Sequence, residues 1–412
     1  MTRATRPLLV LGLLTALNFL NYIDRYILFG VLPLIKREFH SSDTALGALT
    51  TVFFIFYMCS APAIGFLADR KSRKAIITMG ALVWSGATLL TAATHSFSTL
   101  LIRHTIVGVG EATFSLIAPA YIADLFPEER RGRVLSFFYL AIPMGAALGY
   151  MIGGALGTSR GWRAPFYICA IPGFLVAFAF YFAGAEPRRG EREVALHSIE
   201  RTTFRGLLRN PAFWTATLGL AMMTFAMGGI STWMPTFLER EKGIPLDRAN
   251  YYFGLITVID GLAGTAVGGW LGDLWLLRSR AAYYALSAFS MLLAIPGALY
   301  AFYGNPAWIF PSFFVAEFFL FLNTGPLNAA IVNSVAAPIR ATAIGLNLFV
   351  IHLLGDAFSP TIIGVISDRS SLRLGFSVTL VAMVLSAIIL FIGMRFAPPR
   401  SIEQQSLAGA SA

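Results

Sequence analysis

Four ionisable residues in the first third of the chain lie inside long apolar runs: Asp24 and Arg25, then Arg103 and Glu111. A charged side chain at membrane depth costs at least about 2.5 kcal/mol on insertion scales, so by default it faces a polar cavity or a partner. If the runs are helices rising about 1.5 Å per residue, Asp24 and Arg25 lie about 12 to 14 Å inward from Pro33, taken as the far end of the first run. Counted from Thr99, Arg103 is about 6 Å deep and Glu111 about 18 Å deep, so the second pair brackets the first. Cross pairs of opposite sign are therefore feasible and would satisfy all four groups. Asp24 or Glu111 is the candidate proton site, with Arg103 in contact. Arg25 and Arg103 are candidates for an anionic substrate group, because the planar guanidinium fork holds two phosphate oxygens at once. An Arg that moves from a carboxylate to a phosphate leaves the carboxylate without its counter-charge, which links proton binding to substrate binding. The competing reading is a permanent clamp between two helices.

The second half of the chain offers fewer groups. His352 and Asp356 are spaced i, i+4 and share a helix face, where the His could titrate or bind substrate; a locally satisfied pair is the equal alternative. Asp260 and Glu317 belong to no readable motif and are expected only as cavity lining. Asn323, Asn328, Asn333 and Asn347 could supply amide contacts, although interhelical hydrogen bonding explains most such residues. No His-Glu-x-x-His or Gly-x-Ser-x-Gly pattern stands in a suitable context, the five His are scattered, and the only cysteines, Cys59 and Cys169, each sit in an apolar stretch. No enzyme active site, metal, cofactor or disulfide is expected. A channel would need a constriction ring or a continuous polar pore, and the polar groups are too few for one.

The elements that must position these residues follow from composition. The chain has 412 residues, 57% hydrophobic and 13% charged, whereas soluble proteins are roughly a quarter charged. Twelve spans of about 20 residues would use roughly 240 of them. Windows of that length place spans near 8–33, 46–68, 75–94, 98–123, 134–157, 165–184, 211–237, 251–272, 282–303, 308–336, 342–366 and 374–396. The expected fold is an all-α integral membrane protein of twelve transmembrane helices in two six-helix pseudo-symmetric halves. Residues 1–184 form the first half, 185–210 a cytoplasmic linker with six Arg, 211–397 the second half and 398–412 a cytoplasmic tail. Asn210–Pro211 reads as an N-cap followed by Pro at the first helical position. Twenty Lys and Arg fall on the side of the N-terminus and nine on the other, which places both ends in the cytoplasm. The short basic start, Met1 to Pro7, runs into an apolar stretch too long for a cleavable signal. Of the 31 basic residues 27 are Arg, scattered in short loops without interleaved aromatics. The net charge of +10 therefore points to anionic membrane lipid rather than nucleic acid.

The halves echo each other. Gly65-Phe-Leu-Ala-Asp69-Arg70 closes the second span and Gly269-Trp-Leu-Gly-Asp273 the eighth; Pro127-Glu-Glu-Arg-Arg131-Gly132 and Pro338-Ile-Arg340-Ala341 form a second such pair. Paired halves suit a transporter that rocks around a midplane site. The stretch Gly65 to Lys74 resembles the loop 2–3 signature of the major facilitator superfamily. That resemblance implies a conformational latch at Gly65, Asp69, Arg70 and Arg73, echoed at Asp273. Arg103 with Gly108-Val-Gly110 resembles the family's membrane-buried Arg motif, often associated with proton coupling. Gly145, Gly149, Gly153 and Gly154 resemble its antiporter signature, with Tyr150 standing where that pattern has Pro; at spacing four, the first three also permit close helix approach.

Within that superfamily, Asn21-Tyr22-Ile-Asp24-Arg25-Tyr26 with Gly30 and Pro33, and Arg103 through Glu111-Ala112, resemble the Spinster family. The resemblance implies a proton-linked, alternating-access transporter of an amphipathic anionic lipid, a lysophospholipid or a sphingosine-phosphate-like molecule. Asn21 and Tyr26 join Arg25, Arg103, His352 and Asp356 as candidate substrate-binding residues. The alternatives are a proton-linked transporter of a small organic anion, sugar or drug and, less favoured, a membrane-embedded lipid-modifying enzyme. The short loops and compact length suggest a bacterial member, a monomer in the inner membrane. Among the 35 Phe, residues Phe53, Phe54, Phe56, Phe137 and Phe138 read as ordinary packing or lipid-facing surface rather than a binding box.

Overall fold

The computed structural model describes residues 7–126, 128–183, 186, 204–335 and 339–398. Among them twelve helical segments are long and apolar enough to cross a membrane, and no strand occurs. The chain is an integral membrane protein of all-α fold. Helix starts follow capping chemistry: the hydroxyls of Ser42, Ser72, Ser96 and Ser371 each accept a hydrogen bond from the backbone N–H three residues on, satisfying a donor the helix cannot. Asn210 caps likewise, accepting from Ala212 N at 3.0 Å and Phe213 N at 3.2 Å ahead of Pro211. The first helix departs from the expected end near Pro33. It runs on to Phe39 with Pro33 inside it, because neighbouring groups in a membrane protein can re-satisfy the backbone that Pro frees.

The contacts divide the chain into two units, each described by itself. Unit 1 comprises Met1–Ala195 with Trp233–Leu255, and unit 2 comprises Leu196–Thr232 with Ile256–Ala412. Thus the segment Trp233–Leu255, which follows the linker in sequence, packs with the first unit. Unit 1 is built from α1 (Pro7–Phe39), α2 (Asp43–Arg70), α3 (Arg73–Ala92), α4 (Phe97–Leu125), α5 (Glu128–Tyr139), α6 (Ala141–Arg160) and α7 (Ala164–Ala183). The fifth span is broken at Leu140, between α5 and α6.

Glycine sets the closest approaches in unit 1. A Cβ on Gly145 would lie 2.7 Å from Phe19 O and one on Gly149 2.7 Å from Ile23 O, so α6 lies directly on the backbone of α1 beneath Tyr22 and Tyr26. On α4, a Cβ at Gly108 would meet Phe53 O at 2.6 Å, and one at Gly110 would meet Trp84 N at 2.9 Å. The Gly-Val-Gly step thereby seats α4 between α2 and α3.

Unit 2 is built from α8 (Phe204–Leu208), the first part of α9 (Pro211–Lys242), most of α10 (Leu246–Leu276), α11 (Ala282–Tyr303), α12 (Ile309–Phe321), α13 (Thr324–Asn333), α14 (Arg340–Ile351), α15 (Ser359–Arg369) and α16 (Leu372–Gly393). The tenth span is interrupted between α12 and α13, and the eleventh by a π-helical turn at His352–Asp356 in which Gly355 leaves helical backbone angles. Phe302 and Phe376 stack at 4.7 Å between α11 and α16, and Ser386 Oγ donates to Gly219 O at 2.8 Å, joining α16 to α9.

Candidate functional site

The site grows from α1. Asn21, Asp24 and Ile27, Leu28 lie on its buried face, and Arg25, one residue further round, reaches across to α4. Arg25 Nη2 donates to Glu111 Oε2 at 2.5 Å and Nε donates to the same oxygen at 3.2 Å. The Glu111 side chain is fully buried and that of Arg25 is 12% exposed. Both bonds fall on one oxygen, leaving Glu111 Oε1 buried without a hydrogen-bond partner. The guanidinium is also boxed by aromatic faces, with its carbon 5.0 Å from the Tyr22 ring, 4.8 Å from Phe53 and 5.6 Å from Phe54. Such contacts hold a cation that has given up water.

Asp24 has no guanidinium. Its Oδ2 accepts from Thr88 Oγ1 of α3 at 3.3 Å, Oδ1 is buried without a partner, and it lies within electrostatic reach of Glu111. Asn21 is fully buried beside Glu111, with neither amide atom in hydrogen-bond geometry. Tyr26 packs edge-on against Tyr150 at 5.1 Å, and Tyr150 in turn against Phe253 at 5.0 Å. The residue that replaces Pro in the antiporter-like pattern is thus a fully buried wedge.

The expectation of two cross pairs is met for one only. Arg103 does not reach either carboxylate: its Nη1 donates to Thr94 Oγ1 at 2.6 Å and to Leu90 O, capping the end of α3. Depth along the axis does not fix the direction in which Arg103 points. Arg103 and Glu111 are eight residues apart, about 80° round the helix, whereas His104 and Glu111 at spacing seven point the same way. His104 is indeed the buried neighbour, its ring 5.3 Å from that of Phe53. Heptad spacing back from Glu111 would have found it. The expectation that Phe53 and Phe54 are plain packing also changes, since both flank Arg25; Phe137, in contrast, is exposed and Phe138 is buried in the packing.

The remaining candidates stand apart from this cluster. In unit 2, His352 Nδ1 lies 3.0 Å from Asp356 Oδ1 across the π-helical turn. In unit 1, Arg73 Nη2 pairs with Asp124 at 2.6 Å, while Glu186 accepts from Ser72 Oγ at 2.5 Å and from Arg73 N at 2.9 Å, capping α3. Arg70 is exposed, donates to Phe66 O at 3.3 Å and lies over the Phe66 ring. The side chain of Asp69 lies outside the described residues. A Cβ on Gly65 would only touch Leu116, at 3.7 Å. In unit 2, Asp273 accepts from Tyr283 OH at 2.7 Å.

Sequence reading missed one further constellation. At the opposite end of unit 1 from the start of α1, Asp43 pairs with Lys36 and, at 2.7 Å, with Arg240. Arg37 pairs beside them with Glu239. These ion pairs and the Asn250 Nδ2 to Gly30 O bond at 3.1 Å fasten the Trp233–Leu255 segment to α1 and α2. The partners are about 200 residues apart in sequence, and nothing local to either marks the other.

Comparison with known proteins gives the family and the fold. The Major Facilitator Superfamily family model matches residues 14–355. The chain is 35% identical over 386 residues to Protein spinster homolog 1 of Xenopus laevis, covering 88% of this chain and 73% of that one. It is 33% identical over 389 residues to the sphingosine-1-phosphate transporter SPNS2 of Danio rerio, with coverage of 89% and 77%. Among solved structures it is similar to a bacterial homologue of the human lysosomal transporter Spinster, in an inward-facing and unoccupied conformation. That match has a TM-score of 0.87 at 24% identity and covers 96% of this chain and 98% of that one; at this identity it speaks to the fold.

Proposed function

Since this chain belongs to the major facilitator superfamily and, within it, to the Spinster family of transporters, we propose that it carries an amphipathic anionic lipid by proton-coupled alternating access. It is a transporter and not an enzyme. The cargo class is a lysophospholipid or a sphingosine-phosphate-like molecule. One observation carries the reading: two buried carboxylates, Asp24 and Glu111, lie within electrostatic reach of each other, and only Glu111 is paired with a guanidinium, that of Arg25. With both acids ionised the cluster holds one uncompensated negative charge in an apolar surround, so one more positive charge completes it, and a proton is the smallest. Arg25 is the residue that exchanges. Bound to one oxygen of Glu111 and bordered by Tyr22, Phe53 and Phe54, it can turn its free N–H groups to a phosphate while the rings meet the apolar part of the cargo. Glu111 then takes the proton.

Asn21 and Tyr26 line the same stretch of α1 as Arg25 and join it as substrate-binding residues of unit 1; His352 and Asp356 are the substrate-binding candidates of unit 2. Arg103 acts on the far end of α3 rather than on the cargo directly. The latch at Gly65, Asp69, Arg70 and Arg73, with Asp273 as its echo, secures the cytoplasmic ends of the helices. The protein works as a monomer in a bacterial inner membrane with both termini cytoplasmic. The test of cargo is uptake into proteoliposomes of labelled lysolipids and of small organic anions, each with and without a pH gradient. Gradient-dependent uptake of lysolipid is expected. Uptake of the small anions alone would replace the lipid with a soluble anion.

A further inference from the structure

Unit 2 contains a second pair of carboxylates that the site on α1 and α4 does not use. Asp260 on α10 is fully buried, and neither of its oxygens has a hydrogen-bond partner. Glu317 on α12 is 4% exposed and accepts from Thr257 Oγ1 at 3.2 Å. Thr257 and Asp260 stand at i, i+3 on one face of α10, so the hydroxyl that meets Glu317 brings Asp260 to the same place. The two acids lie within electrostatic reach of each other. They are held there by close helix contact one turn on, where a Cβ at Gly264 would lie 2.8 Å from Phe318 O. Among the described residues no Lys, Arg or His acts on either acid; Glu317 faces Asp260 from α12, and Thr257 is the one other polar group engaged.

A buried carboxylate with both oxygens bare, facing a second carboxylate, is not a stable pair of anions. Nor is it a structural ion pair, because no cation takes part. We propose that Asp260, Glu317 and Thr257 form a second proton-binding site, in unit 2 and distinct from Asp24 and Glu111. A proton from water enters at Glu317, the more accessible of the two. It forms an O–H bond on one of the two acids, while Thr257 holds Glu317 in place. The pair then carries one negative charge in place of two.

Infrared difference spectra of the purified full chain in nanodiscs, between acidic and alkaline buffer, test this with the proton itself as ligand. The C=O band of a protonated carboxyl, identified by its shift in heavy water, is expected to appear on acidification. Asp260→Asn and Glu317→Gln should each remove or shift that one band and leave those of Asp24 and Glu111. Thr257→Val, which keeps both acids, should shift the band without removing it and covers the case in which an acid variant fails to fold. Bands unchanged in all three variants would overturn the proposal, as would a band abolished by replacing choline with sodium, which would assign the site to a metal cation. Because Asp24→Asn and Glu111→Gln remove other bands, failure here and failure of the proton-coupled reading in unit 1 are distinguishable.

Discussion

Arg25 makes an ion pair whose geometry is one-sided: two donor nitrogens on one oxygen, with the second oxygen of Glu111 bare. Such a bond can be exchanged for another oxyanion without dismantling a fork-to-fork lock. Removing one partner of a buried pair strands the other, at a cost of about 3–5 kcal/mol. Arg25→Ala should therefore lower the melting temperature sharply, and Arg25→Ala with Glu111→Gln should recover much of the loss, as a double-mutant cycle by thermal unfolding would show. Equal losses in the single and double variants would mean that the aromatic box, not the charge, holds Arg25. At this scale the Arg25–Glu111 contact was legible, because depth along two helices is simple arithmetic from the sequence. The fate of Arg103 was not. Its partner is the backbone carbonyl of Leu90 at the end of another helix, and sequence shows neither the azimuth of a side chain nor which carbonyls a helix end leaves free.

Between residues and the whole stand the contacts that hold α1 in register. Gly145 and Gly149 place α6 against the backbone of α1 at Phe19 and Ile23, the stretch that carries Asp24 and Arg25. Gly149→Ala puts a methyl 2.7 Å from Ile23 O, a clash that backbone movement must relieve, at about 1–3 kcal/mol. The expected outcome is a lower melting temperature with weakened substrate binding, whereas Ala at Gly12, which has nothing within 4 Å of a Cβ, should leave both unchanged. The small-residue spacing was readable in the sequence, but which helix it faced was not. The Asp43 network is the opposite case, invisible in sequence and plain in three dimensions. Asp43→Asn removes the acceptor of both Lys36 and Arg240. It should raise the rate at which a cysteine placed at Ile244, in the same segment but outside these ion pairs, is labelled from the far side of the membrane; an unchanged rate would show that Arg37–Glu239 and Asn250 suffice to hold the segment.

For the whole molecule, charge falls into separate populations. Most Lys and Arg lie between spans and set orientation, and four of the acids at depth, Asp24, Glu111, Asp260 and Glu317, are buried in the two units, while Asp356 in the eleventh span is partly exposed beside His352. Twelve spans were legible because each needs only length and apolarity, and the observed segments overlap every predicted window. The breaks in spans five, ten and eleven were overlooked, although Pro143 and Pro326 follow the interruptions at Leu140 and Leu322 and remove the N–H that would bond Tyr139 and Leu322, and the third break falls on Gly355 itself. The motif at Asp69 speaks to motion of the whole. Asp69→Asn is expected to move the population toward the state open to the cytoplasm, read by inter-spin distances across the two mouths, and an unmoved distribution would remove the latch. The central claim is that buried carboxylates on α1 and α4 couple a proton to cargo. Lysolipid uptake into proteoliposomes driven by a pH gradient, compared among the native protein, Asp24→Asn and Glu111→Gln, tests it most directly. At least one variant is expected to lose the acceleration by the gradient while still exchanging cargo at equilibrium. Full gradient-driven uptake in both would contradict it.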